Sequence, residues 1–136
     1  MLGALDIAVL RFLRTRGHAP PVEQAVIRFS RLGNHGFLWL AIAAAGMVLD
    51  SPGRGAYVRA GRTVAATVVL NYLVKIAIRR ARPLLEDLPP LSPAVSPLSY
   101  PSAHASTSFA GARTLSEVLP GPPLYALATA VAVSRP

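Results

Sequence analysis

Thr63–Ile78 reads TVAATVVLNYLVKIAI, an apolar run interrupted by Asn71 and Lys75. Spanning a bilayer takes about 20 apolar residues in a helix, so this run approaches the length of a membrane helix. Upstream, Gly36–Leu49 (GFLWLAIAAAGMVL) is wholly apolar and ends at Asp50-Ser51-Pro52-Gly53. It is short for a span, but a helix beginning near Phe29 or Leu32 would reach. Downstream, Ala103–Leu119 is rich in small residues that permit close helix contact, and Pro122–Val133 is a fourth apolar stretch. Leu84–Pro101 holds five prolines (Pro89, Pro90, Pro93, Pro97 and Pro101) and reads as an irregular loop. The N-terminal part is different in kind. Residues 4–16 place Leu5, Val9, Phe12 and Leu13 at helical spacing, and Val22–Leu32 places Val22, Ala25, Val26 and Phe29 on one face. Both read as amphipathic helices at a membrane surface, or as surface helices of a soluble bundle. The expected fold class is all-α: a membrane-embedded helical bundle of about four membrane helices behind two N-terminal amphipathic ones, within residues 1–32.

Composition supports a membrane setting. The chain of 136 residues is 52% hydrophobic and only 15% charged, with a mean hydropathy of +0.43. Soluble domains usually carry about 25% charged residues. Cysteine is absent, which excludes disulfides, zinc–thiolate sites and thiol nucleophiles. The net charge of +8 suits anionic headgroups. Nucleic acid is not the expected partner: the Arg residues are scattered between apolar runs, and aromatics for base stacking make up only 7% of the chain. Thirteen of the 14 cations are Arg, and the one Lys is Lys75. Met1–Leu13 contains Asp6 and Arg11, so no signal peptide is evident. Counting cations near helix ends, Arg11, Arg14, Arg16, Arg28, Arg31, Arg79 and Arg80 stand on one side against Arg54, Arg59 and Arg62 on the other. The positive-inside rule then places the loop after Ile78 in the cytoplasm.

Two segments carry chemistry. Lys75, Arg79 and Arg82 have the spacing of one helix face, where three cations repel each other unless an anion joins them. The plainer alternative is snorkelling to headgroups. Tyr100-Pro101-Ser102-Ala103-His104 has the look of a helix start. Ser102 is a favoured N-cap, the free N–H groups behind it attract anions, and His104 in the first turn can move a proton near neutral pH. Ser102 can equally be a cap alone, and a lone histidine is often structural.

Read as one line, Lys75-xxxxxx-Arg82-Pro83, then Pro101-Ser102-Ala103-His104, then Ser134-Arg135 resembles the signature of the type 2 phosphatidic acid phosphatase family. That signature is KxxxxxxRP, PSGH and SRxxxxxHxxxD. The first part matches fully, the second with Ala103 in place of Gly, the third only in Ser134-Arg135. Chance agreement of the first two parts is on the order of one in ten thousand at average residue frequencies. The resemblance implies a metal-independent lipid phosphatase of the cell membrane, multi-pass and needing no cofactor. It implies that His104 protonates the leaving oxygen, while Lys75, Arg82, Arg135, Ser102 and the backbone N–H of Ala103 hold the phosphoryl group. The partners it implies are the bilayer and a membrane lipid phosphate. Within the family the sequence looks most like the branch acting on polyprenyl-linked phosphates, from Leu32-Gly33-Asn34 and the short N-terminus. Phosphatidylglycerophosphate and undecaprenyl diphosphate are the other candidate substrates. The attacking histidine of the third motif has no counterpart within the 136 residues, so residues 1–136 are expected to form an incomplete phosphatase domain. The rival expectation is a catalytically inactive truncated membrane protein that at most binds lipid phosphate.

Overall fold

The structure, a computed structural model, describes residues 4–15, 20–81, 98 and 100–134. The described residues are all-helical: α1 (Ala4–Thr15), α2 (Pro20–Leu32), a 3-10 turn (Asn34–Gly36), α3 (Phe37–Leu49), α4 (Arg54–Ile78), α5 (Ala103–Leu115) and α6 (Gly121–Val133). The only extended pairing among them is an isolated antiparallel bridge from Ala81 to Leu98. It folds the chain back after α4, so that α5 starts where α4 ends.

α4 is longer than its apolar run. It begins at Arg54, just past a turn in which the Gly53 amide donates to Asp50 Oδ1 at 3.2 Å. Arg54, Arg59 and Arg62 therefore lie on the helix, not in a preceding loop. Arg is nearly as good a helix former as Leu, so hydropathy marks the apolar part of this helix but not its start. At the other end Arg79 turns left-handed (φ 51°) and its amide closes on the Lys75 carbonyl at 2.9 Å. Twenty-five residues at about 1.5 Å each give roughly 37 Å, more than a hydrocarbon core of about 30 Å. Among the described residues α4 is the one helix long and apolar enough to cross a membrane by itself.

The continuous helix expected from Phe29 or Leu32 into the Gly36–Leu49 run does not form. α2 and α3 meet at a 50° bend. His35 (φ 54°) and Gly36 (φ 69°) are both left-handed, which no α-helix can continue through. Gly36 is required twice over, by this φ and because a Cβ there would come within 2.7 Å of Val64 Cγ1. His35 tolerates the left-handed region better than most residues. It is held there by stacking on Tyr72 and by a 3.0 Å hydrogen bond between its Nε2 and the Tyr72 hydroxyl. Taken together, α2 and α3 pass the length and composition test for a span only as this bent pair.

α3 to α6 run up and down against their neighbours. Tyr57 on α4 packs on Gly46 of α3 across the Asp50–Gly53 turn. Arg59 near the start of α4 pairs with Glu117 just past α5 at 2.8 Å, and Asn71 further along α4 donates to Ser106 Oγ at 3.2 Å near the start of α5. These two contacts fix α4 and α5 as antiparallel. The Arg59 guanidinium holds the Glu117 carboxyl below the usual carboxylate range, first by hydrogen bonding and then by charge. This half-exposed pair contributes above that range and is lost as pH falls through the lowered value.

The core between the helices is small-sided: Trp39, Ala43, Tyr57, Ala60, Val64, Ala112, Leu115, Leu124 and Ala128. Trp39 is fully buried and its Nε1 donates to Ser108 Oγ at 3.1 Å. Gly111 makes room for it, since a Cβ at 111 would lie 2.5 Å from Trp39 Cδ2. Gly111→Ala is accordingly expected to destabilise the chain by about 1–3 kcal/mol through overpacking. A denaturation midpoint in detergent checks this; an unchanged midpoint would show that the Trp39 ring yields freely.

Candidate functional site

The N-terminus of α5 is built as its sequence suggests. Ser102 is the N-cap in extended conformation, and its Oγ accepts from the Ala105 amide at 3.3 Å. Its carbonyl accepts from the Ser106 amide at 3.0 Å and from Ser106 Oγ at 2.8 Å. The first amides of a helix have no intrahelical acceptor, and a helix start of this kind attracts anions. Ala103 has no positive φ, so helical backbone serves there and glycine is not needed.

His104 follows in the first turn and is 7% exposed. Its Nε2 lies 3.0 Å from the carbonyl oxygen of Ser30, at the end of α2. Gly33 closes the other side of the ring: a Cβ there would meet His104 Cδ2 at 2.8 Å and Val131 Cγ1 at 2.6 Å. The last turn of α6 is thereby brought to the same place, and Ser134 caps it with Oγ donating to the Val131 carbonyl at 2.7 Å.

Lys75 is 7% exposed on α4. The Asn71–Ser106 bond sets its level. One turn forward from Asn71 is Lys75, and one turn back from Ser106 is Ser102; on antiparallel helices these steps run the same way. Lys75 thus comes level with the capped start of α5. The structure therefore brings Lys75, Ser102, Ala103 and His104 to one end of the bundle, together with Ser134. Arg82, Arg135, His18 and all of the Pro-rich 84–101 loop except Leu98, Tyr100 and Pro101 lie outside the described residues.

The face expected for Lys75, Arg79 and Arg82 is not a helix face. α4 stops at Ile78, and Arg79 is exposed, with Nε donating to the Ile76 carbonyl at 3.2 Å. Spacing alone could not show this, because Arg is at home both in a helix and just after one.

Residues that sequence reasoning left aside also meet here. Asn71, seen only as an interruption of an apolar run, pins the two helices that carry Lys75 and Ser102. Ser30 and Gly33 hold His104, and nothing in their local sequence signals it. Ser30 Oγ and Asn34 Oδ1 are buried with no hydrogen-bond partner among the described residues. This end is polar inside and apolar outside. α4 buries Asn71 and Lys75 while Val69, Leu70, Leu73 and Ile76 stand exposed.

No family model matches the chain, and no solved structure does. A curated protein does match, the decaprenylphosphoryl-5-phosphoribose phosphatase of Mycolicibacterium smegmatis (strain ATCC 700084 / mc(2)155), at 30% identity over 116 residues. The aligned part is 85% of this chain and 64% of that protein, so the chain spans just under two thirds of its relative's length. Over most of its described helices and across the end where Lys75, Ser102 and His104 meet, the chain is similar to a phosphatase.

Proposed function

We propose that this chain is the phosphate-binding part of a membrane lipid phosphatase of the type 2 phosphatidic acid phosphatase family. Its proposed substrate is a phosphomonoester on a polyprenyl-linked lipid. The observation that carries the reading is the convergence of buried Lys75 with the Ser102-capped start of α5 and His104. Phosphoryl transfer needs little covalent chemistry from the protein; it needs positioning and positive charge around the equatorial oxygens. Lys75, with Arg82 and Arg135, supplies the charge, and Ser102 and the Ala103 amide supply directed donors. His104 gives its proton to the leaving oxygen. In this reading no metal is required, and the phosphoryl group passes through a phosphohistidine on an imidazole that the 136 residues do not assign.

A multi-pass membrane setting fits the exposure pattern. In water, a helix with Val69, Leu70, Leu73 and Ile76 outside and Asn71 and Lys75 inside would be inverted. In a bilayer, ionisable residues face the bundle interior and apolar ones face lipid. The Arg excess that the sequence puts on the side of the loop after Ile78 supports a cytoplasmic orientation for this end.

The test joins the 136 residues to the C-terminal remainder of the M. smegmatis relative. The joined protein, purified in detergent with EDTA, is expected to release inorganic phosphate from a short polyprenyl phosphate. The 136 residues alone are expected to bind that lipid without turning it over. Absence of both binding and release in the joined, folded protein would sink the proposal. Turnover by the 136 residues alone would overturn the assignment of the attacking group.

A further inference from the structure

We infer that α2 is an interfacial anchor: its Val22–Val26 face lies in the anionic headgroup layer of the bilayer and holds the Lys75, Ser102 and His104 end of the bundle at headgroup depth. The inference rests on the membrane setting proposed above, and on the placement of the α2 side chains for the rest. A membrane-surface helix and a surface helix of a soluble bundle differ in the face that is covered. A soluble bundle would bury Val22, Ala25, Val26 and Phe29 and leave Ser30 outside. α2 does the reverse. Ser30 is its one buried residue, at 3% exposure, while Val22 is 51% exposed and Ala25, Val26 and Leu32 are exposed with it. Ser30 follows Phe29 and so points about 100° around the helix from it. The bundle thus covers a flank of α2 and leaves the apolar stripe without protein over most of its length.

Charge and length choose the partner. Gln24, Arg28 and Arg31 recur at helical spacing opposite the apolar stripe, and all three are exposed. Neither Arg28 nor Arg31 has an ion-pair partner among the described residues. Apolar side chains on one face with Arg on the other suit a helix lying in an interface, where the first enter the acyl boundary and the guanidinium groups reach lipid phosphates. Arg79 and Arg80, just past α4, are exposed at the same end of the bundle and add to the attraction for an anionic surface. Thirteen residues at about 1.5 Å each give roughly 20 Å, too short to cross a core of about 30 Å. The 50° bend also turns α2 off the axis of α3. The anchor reaches the site through the Ser30 carbonyl, 3.0 Å from His104 Nε2, and through Gly33 against the same ring. A phosphate on a lipid stands at headgroup level, so a site tied to an interfacial helix meets it there without drawing the lipid out of the bilayer.

The experiment measures depth residue by residue. The chain has no cysteine, so Val22→Cys, Gln24→Cys, Val26→Cys and Leu70→Cys each carry a single nitroxide. All four positions are exposed, so the labels displace no core side chain. The full chain is reconstituted into vesicles of phosphatidylcholine, alone or mixed equally with phosphatidylglycerol. Accessibility to oxygen, which enters lipid, is compared with accessibility to a water-soluble nickel complex. Leu70, on the apolar face of α4, is expected to be rich in oxygen and shielded from nickel. In the mixed vesicles the oxygen-to-nickel ratio is expected to be several times higher at 22 and 26 than at 24. Phosphatidylcholine alone, or Arg28→Gln with Arg31→Gln, is expected to shrink that contrast. If 22, 24 and 26 are all open to nickel while Leu70 is in lipid, the anchor falls and the membrane reading stands. An oxygen-rich signal at all three would make α2 half of a bent span and overturn the interfacial placement. Shielding of 22 and 26 from both reagents would put a second copy of the chain on this face and overturn the lipid assignment. A contrast indifferent to phosphatidylglycerol would overturn the recognition of anionic lipid. If Leu70 itself is open to nickel, the membrane reading falls and the anchor with it.

Discussion

Lys75→Ala, made in the 136 residues joined to the remainder of the M. smegmatis relative, is expected to lower kcat by roughly a hundredfold or more. That is the usual cost of removing one preorganised charge or donor from a developing anion, about 2.7 kcal/mol in the barrier. The expectation follows from position as much as from charge. Lys75 sits 7% exposed and level with the capped start of α5, where little water screens it. Arg79, four residues on, is the control. It ends α4 in a left-handed turn, is exposed, and donates to the Ile76 carbonyl instead of facing α5. Arg79→Ala should change kcat by less than about threefold, the range of a lost exposed charge. Steady-state phosphate release, with circular dichroism to confirm the fold, separates the two. Equal damage from both variants would mean that the site extends along α4 past Ile78 and that the assigned register is wrong.

Trp39→Ala is expected to have the largest effect on stability, about 3–5 kcal/mol, as for other fully buried aromatic residues cut to alanine. The ring lies at 0% exposure among α3, α4 and α5. Gly111 packs on its face, so no larger neighbour is poised to fill the cavity. The change also strands Ser108 Oγ, which accepts from the indole at 3.1 Å and is itself fully buried. Trp39→Phe separates the parts, since it keeps most of the packing and loses the N–H. It should cost about 1–2 kcal/mol more than an isosteric swap, mostly for the unsatisfied hydroxyl. Unfolding in mixed micelles followed by far-ultraviolet circular dichroism measures both. A Trp39→Ala chain within about 1 kcal/mol of the parent would show that α3 is held by something other than this contact.

The part of the fold that was legible in the sequence was the part governed by local chemistry. All-helical structure, the order of the helices and the cap at Ser102 follow from apolar runs, prolines and the short-range preference of a hydroxyl for free amides. α6 at Gly121–Val133 differs from its apolar stretch by a single residue. The boundaries that failed are those where hydropathy and helix formation part company. Arg54, Arg59 and Arg62 are polar yet helical, so α4 starts nine residues before its apolar run. The Gly33–Gly36 segment (Gly-Asn-His-Gly) stops a helix that the flanking apolar residues would allow, because two left-handed residues and the close approach of Val64 decide its path.

By itself, the sequence determined which residue types are available for phosphate chemistry: a single lysine, a capped helix start and a histidine in its first turn. It also determined that they are carried on helices, because side-chain size, polarity and hydrogen bonding to the nearest amides act over a few residues. Only the tertiary structure decided that Lys75 and Ser102 stand level, that Arg79 does not join them, and that Ser30 and Gly33 hold the ring of His104. Those facts depend on the antiparallel docking set by Asn71 with Ser106 and Arg59 with Glu117, and on the bend that brings the end of α2 across the start of α5. Such contacts join residues 35 to 74 positions apart, and one of the partners is a backbone carbonyl that every residue type provides. No local pattern encodes a choice of that kind; it is made by packing the whole bundle.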